Sequence, residues 1–194
     1  MSSHTKTKKH VASSTKDPLY LPGPTDDSAQ LDPKLRSIKN LTDSGEYKRA
    51  LQALSMNTSD PELLNCRGVC LLRLREFAKA ISPLRMASLN PSTFHVHAPV
   101  ADHIKINFAT ALFFGGEPKG GLEALAEVKR SENDPSVLML HRQTKLWVRD
   151  MSLFRRLDWY LNRVAPKQGP TPPIERIGRF VWELETVQQA TQKT

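Results

Sequence analysis

The chain has 194 residues and a formal charge of +8, from 28 Lys and Arg against 20 Asp and Glu. A length of this order holds one or two domains, and no apolar run reaches the roughly 18 residues of a membrane span. The first 30 residues carry no apolar stretch of the secretory type, and Cys66 and Cys70, the only cysteines, stand four apart, which is no disulfide framework. The expected location is the reducing cytoplasm, with no membrane insertion.

Residues 1–30 hold mostly Ser, Thr, Lys, Asp and Pro, with one apolar knot at Leu19, Tyr20 and Leu21. No periodic face exists there to offset the entropy of ordering, so a disordered tail is expected. From residue 31 the pattern turns helical. Asp32-Pro33, Asp60-Pro61 and Asp134-Pro135 each read as an N-cap followed by the proline that suits a first helical turn. Asp102 is a fourth candidate start. The starts lie 28, 42 and 32 residues apart. Each interval has a turn in its middle, at Gly45-Glu46-Tyr47, Arg75-Glu76-Phe77, Gly115 to Pro118 and Asp150-Met151-Ser152. Amphipathic helices follow the first three, through Ala50, Leu51 and Leu54, then Ala80, Ile81 and Leu84, then Leu122, Leu125 and Val128. The domain is predicted to be all-α.

Leu64, Gly68, Leu71, Phe77, Ala80, Leu84, Ala87 and Pro91 follow the large, small, large, aromatic, small, large, small, Pro order of one repeat. In this the chain resembles the tetratricopeptide repeat family, whose unit is a two-helix hairpin of about 34 residues. Gly45, Tyr47, Ala50, Leu51 and Leu54 match half a repeat. Ala109, Leu112, Gly116, Gly121 and Leu125 match another, with Pro118 in place of the aromatic turn plug. The resemblance spans residues 31–165 and implies an α–α superhelix of about four hairpins. Residues 166–194 then read as a Pro-rich linker and a capping helix, N-capped at Thr171, with Ile174, Ile177, Val181, Leu184 and Gln188 on one face.

The resemblance also implies a concave groove lined by the first helix of each hairpin, which holds a partner's peptide. Its positions here are Leu35 and Lys39, then Asn65, Val69, Leu72 and Arg73, then Ile106, Thr110 and Phe113. This mixture is apolar with a few basic groups and suits a protein or peptide partner with some acidic residues. Leu35 and Cys66 stand where a carboxylate-clamping subgroup needs polar side chains, so that clamp is excluded. Secretion chaperones with degenerate repeats have a similar groove.

A second candidate surface lies on residues 152–164. There Leu153, Leu157, Tyr160, Leu161 and Val164 are the expected buried stripe, with Arg155, Arg156, Trp159 and Arg163 opposite it. An aromatic ring among arginines stacks a nucleic-acid base or grips an acidic peptide, unless the C-terminal helix covers Trp159 through Phe180 or Trp182. His95, His97 and His103 cluster in the connection before the third hairpin, but their spacing matches no zinc signature, so no metal is assigned. Cys66 and Cys70 read as packing residues. No phosphate-cradling loop, H-E-x-x-H or nucleophile elbow occurs, so no enzyme and no cofactor are expected. The charge divides as +1 on residues 1–30, +1 on 31–60, +3 on 61–91, −2 on 92–134, +4 on 135–164 and +1 on the rest. The basic excess thus lies on the second and fourth hairpins. The reading is a non-enzymatic adaptor, with a nucleic-acid-associated module or a secretion-type chaperone as the alternatives.

Overall fold

Asp32, Asp60 and Asp134 cap three helices through their side chains, each Oδ1 accepting an N–H two residues on at 2.8 Å. Each cap satisfies a donor that the first helical turn leaves unpaired, and the proline beside it removes another. The computed structural model describes residues 31–55, 57–89, 100–128 and 133–184. The expectations for the tail, for Pro91, for His95 and His97 and for Gln188 fall outside the described residues.

Among the described residues there are eight helices, in four successive pairs, and no strand. They are α1 (Pro33–Asp43) with α2 (Tyr47–Ala53), α3 (Pro61–Arg73) with α4 (Phe77–Ser88), α5 (Asp102–Phe114) with α6 (Pro118–Ala126), and α7 (Pro135–Arg149) with α8 (Leu153–Asn162). All four mid-interval turns fall where the sequence predicts them. Asp102, however, is the first residue of α5 and not its cap, because Ala101 occupies the cap position. None of the helices is long and apolar enough to cross a membrane among the described residues.

The small residues mark close approaches. A Cβ on Gly68 would lie 2.3 Å from Leu84 Cγ, so only glycine lets α3 and α4 meet there. At Gly121 a Cβ would lie 2.8 Å from Ala109 O and Phe113 N, which brings α6 onto the α5 backbone. The main core gathers Leu72, Leu84, Phe108, Leu112, Leu125 and Leu140 from α3 to α7. Phe77 and Phe114, 5.5 Å apart, join α4 to α5, and Phe113 meets both Phe114 and Trp147.

Two larger expectations are also corrected. First, α8 is turned over. Leu153, Leu157, Tyr160, Leu161 and Val164 are exposed, between 53% and 75%, whereas Trp159 is 2% exposed. Trp159 is covered by Trp147 at 5.1 Å, in a cluster with Val148, Met151, Leu122 and Ala165, and not by Phe180 or Trp182. Arg156 holds this orientation by donating to the carbonyls of Arg149 and Met151 where α7 ends. Second, residues 171–180 are not helical. They run without regular structure to a single 3₁₀ turn at Val181–Glu183, and Ile174, which was assigned to the buried face, is 98% exposed. Arg73 of α3, Arg75 just after it and Asn107 of α5 pair with the backbone of Gly178, Ile174 and Arg179, and that pairing outweighs the helical spacing of the segment.

Candidate functional site

The face built from the first helices of the hairpins is where the C-terminal segment lies. Of the nine groove residues the sequence indicates, Asn65, Val69, Leu72, Ile106, Thr110 and Phe113 are fully buried, and Leu35 and Lys39 are half-buried. Lys39 is paired with Asp43 at 2.6 Å within α1. The ninth, Arg73, reaches the segment directly.

Asn107 on α5 holds the segment at two points. Its Nδ2 donates to the carbonyl of Arg179 at 2.8 Å, and its Oδ1 accepts from the Arg179 N–H at 3.0 Å. The same Nδ2 donates to Asn65 Oδ1 at 2.8 Å, so α3 orients the amide that α5 presents. A single side chain thereby satisfies both backbone groups of one residue, as a neighbouring β-strand would. Arg73 Nη2 donates to the carbonyl of Gly178 at 2.7 Å and to Glu183 at 2.8 Å. The Arg179 side chain pairs with Asp134, the cap of α7, and Trp147 Nε1 donates to the carbonyl of Gln168 at 3.0 Å.

Shape complements these bonds. Gly178 has φ +80°, and a Cβ there would lie 2.9 Å from Leu72 Cδ1 and 3.4 Å from Val69 Cγ1. Phe180, 1% exposed, enters the cluster of Ile38, Cys66, Val69 and Cys70, and Trp182 stacks on it at 4.7 Å. Burying one Phe side chain of this kind stabilises the docked segment by roughly 1.5–3 kcal/mol. Arg73 also lies 5.8 Å above the Phe180 ring.

The cysteines are part of this floor. Burial pushes both thiols up, Cys70 to about 12, and Cys66 is raised further by the carboxylate of Glu62. Neither is a poised nucleophile. His103 is not in a loop. It is buried on α5, with Nε2 3.1 Å from Glu62 Oε1 on α3, and forms a packing pair between helices. No group of three or more metal-binding side chains occurs among the described residues.

The arginines proposed to surround an exposed Trp159 are dispersed. Arg163 lies 5.8 Å over the buried ring, Arg156 is spent on α7 carbonyls, and Arg155 lines a different cleft, between α7 and the 166–174 linker. The edge of Trp159 does border a cleft of about 360 Å³ where Lys145, Arg149, Arg156 and Arg163 converge. A base-stacking platform is absent from this part of the described surface.

Asn107, Gly178, Phe180 and Glu183 are site residues that the sequence reading missed. One signal was available for Asn107. Asn65 and Asn107 each stand five residues past a helix-start Asp, and asparagine in mid-helix needs a reason beyond propensity. No family model, curated protein or solved structure matches the chain.

Proposed function

We propose that this protein is a non-enzymatic protein–protein interaction module of the tetratricopeptide type, which receives an extended segment of a partner on its concave face. The observation that carries the reading is the two-point hold of Asn107 on the backbone of Arg179. A side chain that pairs with both the N–H and the C=O of one residue recognises peptide backbone without regard to the side chain there, which is what a peptide receptor requires. Phe180 and Glu183 then act as anchors at fixed distances from it. Free, buried Cys66 and Cys70 fit a cytoplasmic setting.

The test uses the full chain with a specific protease site inserted at the exposed Lys167–Gln168 linker. After cleavage, the C-terminal piece should remain associated on size exclusion and exchange with a labelled peptide of residues 169–184. Asn107→Ala should weaken that peptide by about 1–3 kcal/mol, the worth of two hydrogen bonds. A piece that never exchanges from a folded chain would mean that the face is ordinary core and not a receptor.

A nucleic-acid role is the second reading, and it is favoured only by the four cations around the cleft beside Trp159. It expects heparin retention that falls with salt and is lost on Lys145→Glu with Arg163→Glu.

A further inference from the structure

The C-terminal segment is an imperfect occupant of the face it covers. Arg73 is buried, its side chain only 5% exposed. Every hydrogen bond it makes falls on one nitrogen, Nη2, which serves Gly178 O and both oxygens of Glu183. Among the described residues its Nε and Nη1 have no hydrogen-bond partner, and neither does Nδ2 of the buried Asn65. A guanidinium presents its donors as a fork that matches the two oxygens of a carboxylate, and a fork gripped by one tine is under-used. Beside it lies a cleft of about 300 Å³ lined by Arg73, Arg75 and Arg176 with Tyr47, and Glu175 is the only acid on its wall. One of those three cations, Arg176, belongs to the segment itself. Its neighbour Glu175 offsets that charge, so the segment meets the two cations of the scaffold, Arg73 and Arg75, with the single carboxylate of Glu183, held by one nitrogen of Arg73.

We propose that the natural occupant of this face is an extended, acidic segment of another protein, which displaces residues 174–184 and sets a carboxylate against Arg73 and Arg75; the proposal rests on the peptide-receptor reading above. The chain's own segment is the competitor. It shares the backbone hold of Asn107 and the Phe180 anchor, and it lacks the acid where Arg176 stands. Buried donors without partners favour whichever ligand supplies acceptors, because each unpaired donor carries its full desolvation cost. Partner binding therefore requires the partner to outcompete a tethered but under-bonded ligand.

The test is fluorescence anisotropy on the full chain carrying Glu183→Gln, which keeps the shape of the segment and removes its charge on Arg73. Two labelled peptides are compared, residues 174–184 as they stand and the same peptide with Arg176→Glu. The acidic peptide should bind at least tenfold more tightly, and the wild-type chain should bind both at least tenfold more weakly than the Glu183→Gln chain. Adding Arg73→Lys keeps the charge but removes the fork, and should shrink the preference to within about threefold. Should the Glu183→Gln chain fail to fold, the chain cleaved at the linker takes its place. Equal affinities, or a preference for the native sequence, would overturn the acidic assignment and leave the receptor intact. Failure of both peptides to bind a folded, opened chain would overturn the receptor reading itself.

Discussion

Gly178→Ala is the sharpest single probe of the covered face. Two costs add at this position. The backbone has φ +80°, a left-handed conformation that costs an L-residue roughly 1–2 kcal/mol. The new methyl would sit 2.9 Å from Leu72 Cδ1, and Leu72 is wholly buried, so it has no open space to move into. Overpacking of that kind costs about 1–3 kcal/mol. The sum, about 2–5 kcal/mol, falls on the docked segment alone, because the four hairpins do not depend on it for their own turns and caps. At 1.4 kcal/mol per factor of ten, the opening constant of the segment should rise from roughly 30-fold to several-thousand-fold. Limited trypsin digestion reads this directly, through the rate of cleavage after Arg176 and Arg179 followed by mass spectrometry under conditions where reclosing outpaces cleavage. Gly169→Ala is the matched control, since a Cβ there meets nothing within 4 Å. A folded Gly178→Ala chain cleaved within about fivefold of wild type would refute the docking geometry.

The remaining predictions concern the scaffold. Gly68→Ala should destabilise the whole domain by about 1–3 kcal/mol and lower Tm by several degrees, because its methyl meets Leu84 Cγ at 2.3 Å; an unchanged melting curve would mean that α3 and α4 do not meet there. Trp159→Ala should cost about 3–5 kcal/mol in urea denaturation, whereas Leu157→Ser should stay within about 0.5 kcal/mol. The reverse order would put α8 back in the orientation its apolar stripe suggests. Cys66 and Cys70 should resist a thiol reagent at pH 8 until the protein is denatured, since a thiol with its pKa at about 12 is only about 10⁻⁴ ionised there. Linkage gives the same two groups a signature in stability. The unfolded thiols lose protons above about pH 9 while the folded ones keep theirs, so stability is complete below that pH. It should fall between about pH 9 and pH 12, and a double Cys→Ala variant should flatten that limb.

The legibility of the sequence follows the range of the interactions involved. Helix starts at Asp32, Asp60 and Asp134 are local, written in a cap and the proline beside it, and they are where the sequence puts them. The hairpin turns are equally local. Gly68 was legible as a close approach because small residues in mid-helix have few other uses. The failures on α8 and in the C-terminal segment are both non-local. An apolar stripe says that a helix face can be buried without saying what will bury it, and on α8 one Trp–Trp contact and an arginine on helix-end carbonyls outweigh five smaller apolar side chains. Ile174, Ile177 and Val181 have helical spacing, but Asn107 and Arg73 lie about 70 to 100 residues upstream, and no window along the chain contains both. The residues that the repeat pattern assigns to a groove are mostly buried, and the repeat pattern carries no sign of the C-terminal segment that lies against Val69, Leu72 and Arg73.

The way Asn107 grips the chain has a consequence for alignment. An extended backbone repeats every two residues, so sliding a bound segment by two places brings an equivalent N–H and C=O pair before the same amide. Nothing in that contact tells one register from the next. Alignment is left to the place of Gly178, which admits no Cβ beside Leu72, to the pocket that takes Phe180 and to the charge on Arg73. A ligand without a glycine, an aromatic and an acid at these spacings would be held but free to slip, and bound mixtures in several registers would replace a single pose.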